Sequence, residues 1–234
     1  MLRGEMFLQP AARSAEMDAA HADPSVQTAA RTFLAHPRDG MLKLLAQAMQ
    51  YPYDRRSFRS MILTAGLPNE AHGSAYDFLD AMAELWKSTD PGHGYCRGAL
   101  LEAIALGLMQ NRTVETDGVV SPVELVTEQC VGPFPAEYWK DGLSDPIDIV
   151  APAAPEFYEC KTGLNYIRSK HLEQFRLIQT IDSRSLTAFV TLAKAETLID
   201  LMTEFHLPEF PKVYAFTLED FLSLSERQAE QQIA

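Results

Sequence analysis

Residues 144–163 read SDPIDIVAPAAPEFYECKTG, and this stretch decides how the surrounding chain can fold. Two apolar runs, separated by a short break at Ala153–Ala154, predict two neighbouring strands. Asp148 stands in the first run, and Glu159 and Lys161 stand in the second. Because an ionised side chain is costly to bury unless it is paired or bound to a metal ion, these charges need an explanation. The stretch predicts either a functional site or an edge hairpin whose charges face water in weak surface pairs.

A hairpin whose turn is centred on Ala153–Ala154 places the three charges on one face of the sheet. It pairs Asp148 with Glu159, and paired residues lie about 5 Å apart on a common face. Lys161 follows Glu159 by two residues and therefore shares that face. Two carboxylates so close repel each other unless a cation lies between them, and Mg²⁺ prefers oxygen ligands. Since both runs are apolar on both faces, as buried strands are, the pattern favours a metal site over an edge hairpin.

Helical patterns come before the hairpin. They run from about Val26 to Trp86, and a linker, TDPGHG, follows over Thr89–Gly94. A further helix is expected over residues 97–111, whereas residues 118–143 are rich in turn residues and have no clear assignment. We therefore expect a flexible segment over residues 1–25, a helical region over residues 26–94 and a second domain over residues 95–234.

Helices and strands alternate after the hairpin. Residues 165–182 form an amphipathic helix pattern whose apolar stripe includes His171, which we expect in the core. The remaining pattern predicts a central strand, a helix, a last strand and a final helix, over residues 185–193, 195–206, 212–217 and 218–232. This alternation predicts an α/β fold.

Asp148 in PIDIV, followed by Glu159-Cys160-Lys161 in FYECK, a helix and a further strand, resembles the core of the PD-(D/E)XK, or restriction-endonuclease-like, nucleases. The resemblance covers residues 97–217 and is nearest the Mrr-like and RecB-like branches. It implies a mixed central sheet flanked by helices. Pro146 stands two residues before Asp148, so the dipeptide that names the family is absent.

The same resemblance implies roles for particular residues. Asp148, Glu159 and the backbone carbonyl of Cys160 would bind Mg²⁺, for which Mn²⁺ can substitute, and Lys161 would assist the attacking water. Glu102, in the helix before the hairpin, is the candidate for a further catalytic and metal-binding acid. Gln174, in the helix after it, is the candidate for a further catalytic residue.

The activity implied is that of a Mg²⁺-dependent endonuclease that hydrolyses phosphodiester bonds, with DNA favoured over RNA, in restriction or anti-phage defence. Residues 161–184 carry five basic residues against two acidic ones, and Arg168, Lys170 and Arg176 are the candidates for contacts to nucleic acid. The whole chain of 234 residues has a net charge of −12, which disfavours strong binding to a polyanion. We therefore expect a homo-oligomer or a partner subunit, and a non-catalytic interaction subunit with a nuclease fold stays open as the alternative.

Other features of the sequence argue against a membrane protein, a secreted protein and a zinc- or disulfide-stabilised fold. No apolar run approaches the roughly 20 residues needed to cross a bilayer, and the N-terminus makes a poor signal peptide because Glu5 interrupts its apolar stretch. These features predict a cytoplasmic protein with no membrane partner. Cys96, Cys130 and Cys160 are far apart, so neither a disulfide framework nor a zinc site is expected.

Overall fold

A computed structural model gives the structure of the chain. It describes residues 6–37, 39–49, 54–87, 92–110, 112–116, 119–134, 142–192, 197 and 213–217. Within those ranges, no helix is both long enough and apolar enough to cross a membrane.

The described residues belong to two compact units. A sheet unit lies within Met1–Arg13 and Gln110–Thr217, and a helical unit lies within Ser14–Met109. This division differs from the domain boundaries expected at residues 25 and 94, because Phe7–Pro10 form a strand of the sheet and residues 92–109 pack as a helix among the preceding helices. Residues far apart in the sequence therefore build one sheet, a pairing that composition along the chain does not reveal.

Each unit has its own helices and strands. In the helical unit they are α1 (Ala15–Ala22), α2 (Pro24–Ala35), α3 (Asp39–Ala48), α4 (Phe58–Ala65), α5 (His72–Leu85) and α6 (Gly92–Met109). In the sheet unit they are β1 (Phe7–Pro10), β2 (Thr113–Thr116), β3 (Val119–Pro122), β4 (Val126–Gly132), β5 (Ile147–Ala151), β6 (Glu156–Lys161), α7 (Ser169–Ile181), β7 (Leu186–Thr191) and β8 (Val213–Thr217).

The helical unit is held together by apolar faces with well-defined helix ends. Asp23 caps α2 by accepting hydrogen bonds from the backbone N–H groups of Ser25 and Val26, and Pro24 occupies the first helical position. Phe33 of α2 and Phe78 of α5 are fully buried, with ring centroids 6.3 Å apart. The unit thus has a core of its own.

The sheet unit contains a mixed sheet of six strands in the order β1-β4-β5-β6-β7-β8. The pairs from β1 to β6 are antiparallel, whereas β6, β7 and β8 run parallel. The parallel pair β6 and β7 is joined through α7, the kind of crossover that parallel strands require. The chain therefore has the α/β class and the mixed sheet that the sequence predicts.

One face of this sheet is covered by α7. Leu172, Phe175 and Ile178 on the helix pack against Val150 and Phe157 on the strands. Side chains of this kind contribute about 1.5–3 kcal/mol each when they are fully buried. This packing fixes α7 over the strands that carry the predicted charges.

The predicted strands of the hairpin and the central strand are confirmed, as β5, β6 and β7. The helix after the hairpin begins at Ser169 rather than at residue 165, because a short 3₁₀ turn over Leu164–Tyr166 comes first. The strand expected over residues 212–217 is present as β8. The final predicted helix lies outside the described residues, and so does all but residue 197 of the helix before it.

A second set of charges lies on the opposite face of β6. Arg112 donates to both carboxylate oxygens of Glu156, at 2.8 and 3.0 Å, and to the hydroxyl of Tyr158 at 3.0 Å. The Tyr158 hydroxyl in turn donates to Glu156 at 2.7 Å. Burial is the largest cause that raises the pKa of Tyr158, so the phenol stays protonated and can keep donating. The bidentate geometry makes this a strong, self-contained network.

We predict that Arg112→Met destabilises the chain by about 3 kcal/mol, because it leaves the carboxylate of Glu156 without its partner in a partly buried place. Arg184→Met is the matched control, since it breaks a bidentate pair with Asp182 whose arginine side chain is 82% exposed. That exposed pair should contribute far less to stability, because water screens the two charges. Urea denaturation of both variants measures the difference, and equal losses would contradict a special role for the Arg112 network.

Candidate metal centre on the sheet

The hairpin has the register that the sequence predicts. Val150 pairs with Phe157 and Ile149 pairs with Tyr158, so Asp148 lies opposite Glu159. Both acids are largely withdrawn from solvent, with side chains that are 14% and 8% exposed. The structure therefore brings the two predicted carboxylates together on one face of neighbouring strands.

Lys161 completes this cluster. Its ammonium group pairs with the carboxylate of Glu159 and lies 4.0 Å from Oδ2 of Asp148. Burial by itself lowers the pKa of Lys161, but the carboxylates of Glu159 and Asp148 outweigh it and hold the pKa above its ordinary value. The side chain is thus positively charged and donates a hydrogen bond to Glu159 beside it.

The carboxylate of Asp148 also reaches the backbone of the next strand. Oδ2 accepts a hydrogen bond of 2.6 Å from the N–H of Cys160. In a strand the N–H and C=O of one residue point to the same neighbour, so the carbonyl of Cys160 lies on the β5 side as well. That direction is compatible with the predicted carbonyl ligand, which stays a prediction.

A further acid, Glu128, lies next to Asp148 and was not foreseen. It stands on β4 between Thr127 and Gln129, which pair with residues on either side of Asp148, and carboxylate oxygens of the two acids lie within 4.8 Å. Arg13 donates to its carboxylate at 3.0 Å. Its φ of 52° is in the left-handed region, which is uncommon for a residue other than glycine and occurs often at functional sites. The sequence does not identify Glu128 as a site residue, because residues 118–143 have no clear strand pattern that would place Glu128 beside Asp148.

Two residues of α7 meet the chain just before β5. The side-chain amide of Gln174, which is 2% exposed, donates to the backbone carbonyl of Asp145 at 2.8 Å. The ammonium of Lys170 pairs with the carboxylate of the same Asp145 at 2.7 Å. Gln174 was predicted to be catalytic, and the structure gives its amide a backbone partner three residues before Asp148.

Two of the three predicted nucleic-acid contacts are paired with acids. Lys170 is engaged by Asp145, and Arg176 is engaged by Glu173 one turn earlier on α7. Arg168, at the N-cap of α7, is exposed. The positive charge that the sequence places on this helix is therefore partly neutralised in the folded chain.

Glu102, the remaining predicted ligand, lies on α6 in the helical unit. It is 5% exposed, and one of its carboxylate oxygens lies 2.8 Å from Nε2 of His21 on α1. This partner accounts for how a carboxylate is tolerated inside that unit. A role for Glu102 in binding a metal ion stays a prediction.

His171 is in the core, as expected, and its ring has a defined orientation. Nδ1 accepts a hydrogen bond of 3.1 Å from the N–H of Arg168, and the ring lies edge-on to Phe189. Burial and the positive charges of Lys161, Lys170 and Arg168 lower its pKa to about 4, opposed in part by Asp145. At neutral pH the ring is therefore uncharged, and its proton is on Nε2.

No family model and no curated protein matches the sequence. Among solved structures, similarity is found to the crystal structure of protein VC1899 from Vibrio cholerae, with 10% sequence identity and a TM-score of 0.37. The aligned region covers 97% of this chain, which spans 58% of the length of that chain. Function must therefore be argued from the site itself.

We predict that His171 makes the folded chain less stable in acid. Its pKa is about 4 in the folded chain against 6.5 ordinarily, so between these values the unfolded chain takes up a proton that the folded chain does not. Stability falls as the pH falls through this range, by an amount on the order of 2 kcal/mol from this residue. His171→Asn keeps an acceptor for the N–H of Arg168 but cannot titrate.

Urea denaturation of the wild type and of His171→Asn at pH 7 and pH 4.5 isolates this effect, because all other titrating groups are common to both proteins. The wild type should lose more stability than the variant over this range. An equal loss in both would show that the ring is not held neutral.

Proposed function

We propose that this chain is a metal-dependent nuclease that hydrolyses phosphodiester bonds, with DNA as its substrate. The proposal is carried by one observation: the side chains of Asp148, Glu159 and Lys161 converge on one face of β5 and β6. Such a group of two acids and one amine is costly to keep at a sheet for stability alone. Its chemistry suits a charged substrate instead.

The donor set fits a hard divalent cation. Asp148 and Glu159 offer carboxylate oxygens from neighbouring strands, and both side chains are largely withdrawn from solvent. Carboxylate oxygens in a poorly solvated place suit a cation that prefers oxygen ligands, such as Mg²⁺ or Mn²⁺. Glu128 contributes a further carboxylate close to Asp148, while Arg13 neutralises it.

Mg²⁺ bound at these carboxylates would supply Lewis-acid polarisation of a phosphate oxygen and lower the pKa of a bound water. Asp148 and Glu159 would hold that ion through their carboxylate oxygens. Lys161, held protonated by both acids, donates hydrogen bonds and places its positive charge beside the phosphate as negative charge develops there. The role proposed for Lys161 is therefore electrostatic.

Substrate binding in this proposal relies on few cations of the sheet unit. Arg168 lies near the start of α7, whereas Lys170 and Arg176 must leave or share their acidic partners to contact a phosphate. The net charge of −12 adds a general repulsion of nucleic acid. We therefore propose that a second copy or a partner subunit supplies part of the binding surface, and that the setting is restriction or anti-phage defence, by analogy alone.

A second candidate function is a non-catalytic subunit with a nuclease-like sheet. The observation that favours it is the pairing of Lys170 and Arg176 with Asp145 and Glu173, which removes positive charge from the predicted nucleic-acid surface. The cleavage experiment below separates the two candidates.

We predict that millimolar Mn²⁺ raises the melting temperature of the wild type, because an ion that binds only the folded chain stabilises it by mass action. At a concentration of 100 times Kd the gain is about 2.7 kcal/mol. Asp148→Asn should abolish the shift, since it removes a charged ligand at nearly constant shape. Asp182→Asn, which changes an acid far along the chain at the end of α7, is the matched control and should retain it.

The variant Lys161→Met should bind Mn²⁺ at least as tightly as the wild type, because the ammonium no longer competes for Glu159. Coincident melting curves with and without Mn²⁺ for the wild type would remove the metal site from the proposal.

We predict that Lys161→Met lowers the rate of cleavage by about 10² or more while metal binding is retained, the scale expected for losing one positioned donor in a site. Lys161→Arg keeps the positive charge and should retain more activity than Lys161→Met. Asp148→Asn should lose both metal binding and cleavage. The assay uses plasmid DNA, labelled single-stranded DNA and RNA, each in Mg²⁺ and in Mn²⁺.

Cleavage by Lys161→Met at the wild-type rate would exclude the lysine from the chemistry. A wild type that binds Mn²⁺ but cuts none of the substrates, alone or with its neighbouring gene products, would favour the non-catalytic subunit.

A further inference from the structure

The backbone carbonyl of Asp145 is a junction between three parts of the sheet unit. It accepts a hydrogen bond of 2.8 Å from the amide of Gln174 on α7 and one of 2.7 Å from the hydroxyl of Ser144. The Ser144 hydroxyl also accepts the N–H of Val131 on β4, at 2.8 Å. Helix α7, strand β4 and the start of β5 are therefore joined at one peptide group.

The path from this junction to Asp148 is short and stiff. Pro146 follows, and its ring locks one of its two backbone dihedrals. Ile147 comes next, fully buried and paired with Gln129 across the sheet. A displacement of the Asp145 carbonyl is therefore passed on to the Cα of Asp148 with little room to be absorbed.

The same helix is tied to the other half of the site along the chain. Lys161 ends β6, and α7 begins at Ser169, after a short connection. The hydrogen bond from Gln174 thus links the helix that follows Lys161 to the strand that carries Asp148. Gln174, which supplies the donor, is only 2% exposed, so its amide has little contact with water.

We infer that Gln174 is a positioning residue for Asp148 and acts through the backbone carbonyl of Asp145. It needs no contact with substrate or metal for this role. That Asp148 is a metal ligand rests on the proposed function. The effect of Gln174 on the position of Asp148 can be measured without any metal. Lys170, whose side chain is 56% exposed, is the weaker of the two contacts from α7 to Asp145.

The chain offers a matched control on the same helix. The amide of Gln179 donates to the hydroxyl of Thr187 on β7 at 3.0 Å, so it also joins α7 to the sheet through one hydrogen bond. Thr187 pairs with Phe157, toward the opposite end of β6 from Glu159 and Lys161. Gln174→Met and Gln179→Met therefore each remove one hydrogen bond from α7 to the sheet unit, and the two bonds differ in their distance along the strands from Asp148.

The direct readout is hydrogen exchange at the backbone N–H of Cys160, which donates to Oδ2 of Asp148. Gln174→Met should speed this exchange by about tenfold relative to the wild type, the scale of one buried hydrogen bond left unmade. Exchange at Ala188, in the middle of β7, reports any general loss of stability and should change far less. Gln179→Met should leave the Cys160 amide protected.

Exchange at Cys160 that is unchanged in Gln174→Met, or raised equally in Gln179→Met or at Ala188, would overturn the inference. If Gln174→Met does not fold, Gln174→Asn serves as the second test variant. It keeps the amide, but its side chain is one carbon shorter and cannot reach the carbonyl of Asp145 in the same way. Mn²⁺ titration of both variants adds a second readout: weaker binding is expected for Gln174→Met alone. A wild type that binds no Mn²⁺ would contradict the proposed function. The exchange rate of the Cys160 amide would still test whether Gln174 positions Asp148.

Discussion

The antiparallel register of β5 against β6 is the constraint on which the rest of the site depends. Pairing of Val150 with Phe157 places both in the core beneath α7 and sets Asp148 opposite Glu159 on the same face. Because side chains alternate with a period of two, a slip of one residue would send the two acids to opposite faces of the sheet. It would also expose one of the two core residues, so the apolar packing protects the geometry of the charged cluster.

Strand β6 carries a charged cluster on each face, and the two clusters differ in how their charged groups are paired. Arg112 and Glu156 are matched in charge and joined by two parallel hydrogen bonds, so that network is complete within the chain. Lys161 meets two carboxylates, one on each of two neighbouring strands. The first arrangement is what a structural ion pair needs, whereas the second offers the carboxylate oxygens on which the proposed metal site rests.

Many side chains of α7 contact other parts of the sheet unit. Its apolar stripe closes the core, His171 stays neutral above Phe189, and Gln174 and Lys170 both reach Asp145. Two of the cations that the sequence places on this helix, Lys170 and Arg176, are thus paired with acids of the chain. Binding of nucleic acid by a protein of net charge −12 would need additional positive charge from elsewhere, which is the physical reason for expecting an assembly.

The sequence by itself determined the hairpin, its register, the grouping of Asp148, Glu159 and Lys161, and the following helix and strand. These depend on local rules, the period of two and the position of a turn, that act over about twenty residues. Only the tertiary structure decided the rest. β1 joins a strand more than a hundred residues away, Glu128 becomes a neighbour of Asp148, and Gln174 finds the carbonyl of Asp145. Such contacts follow from how distant segments pack, and no local pattern encodes the partner of a single glutamate or glutamine.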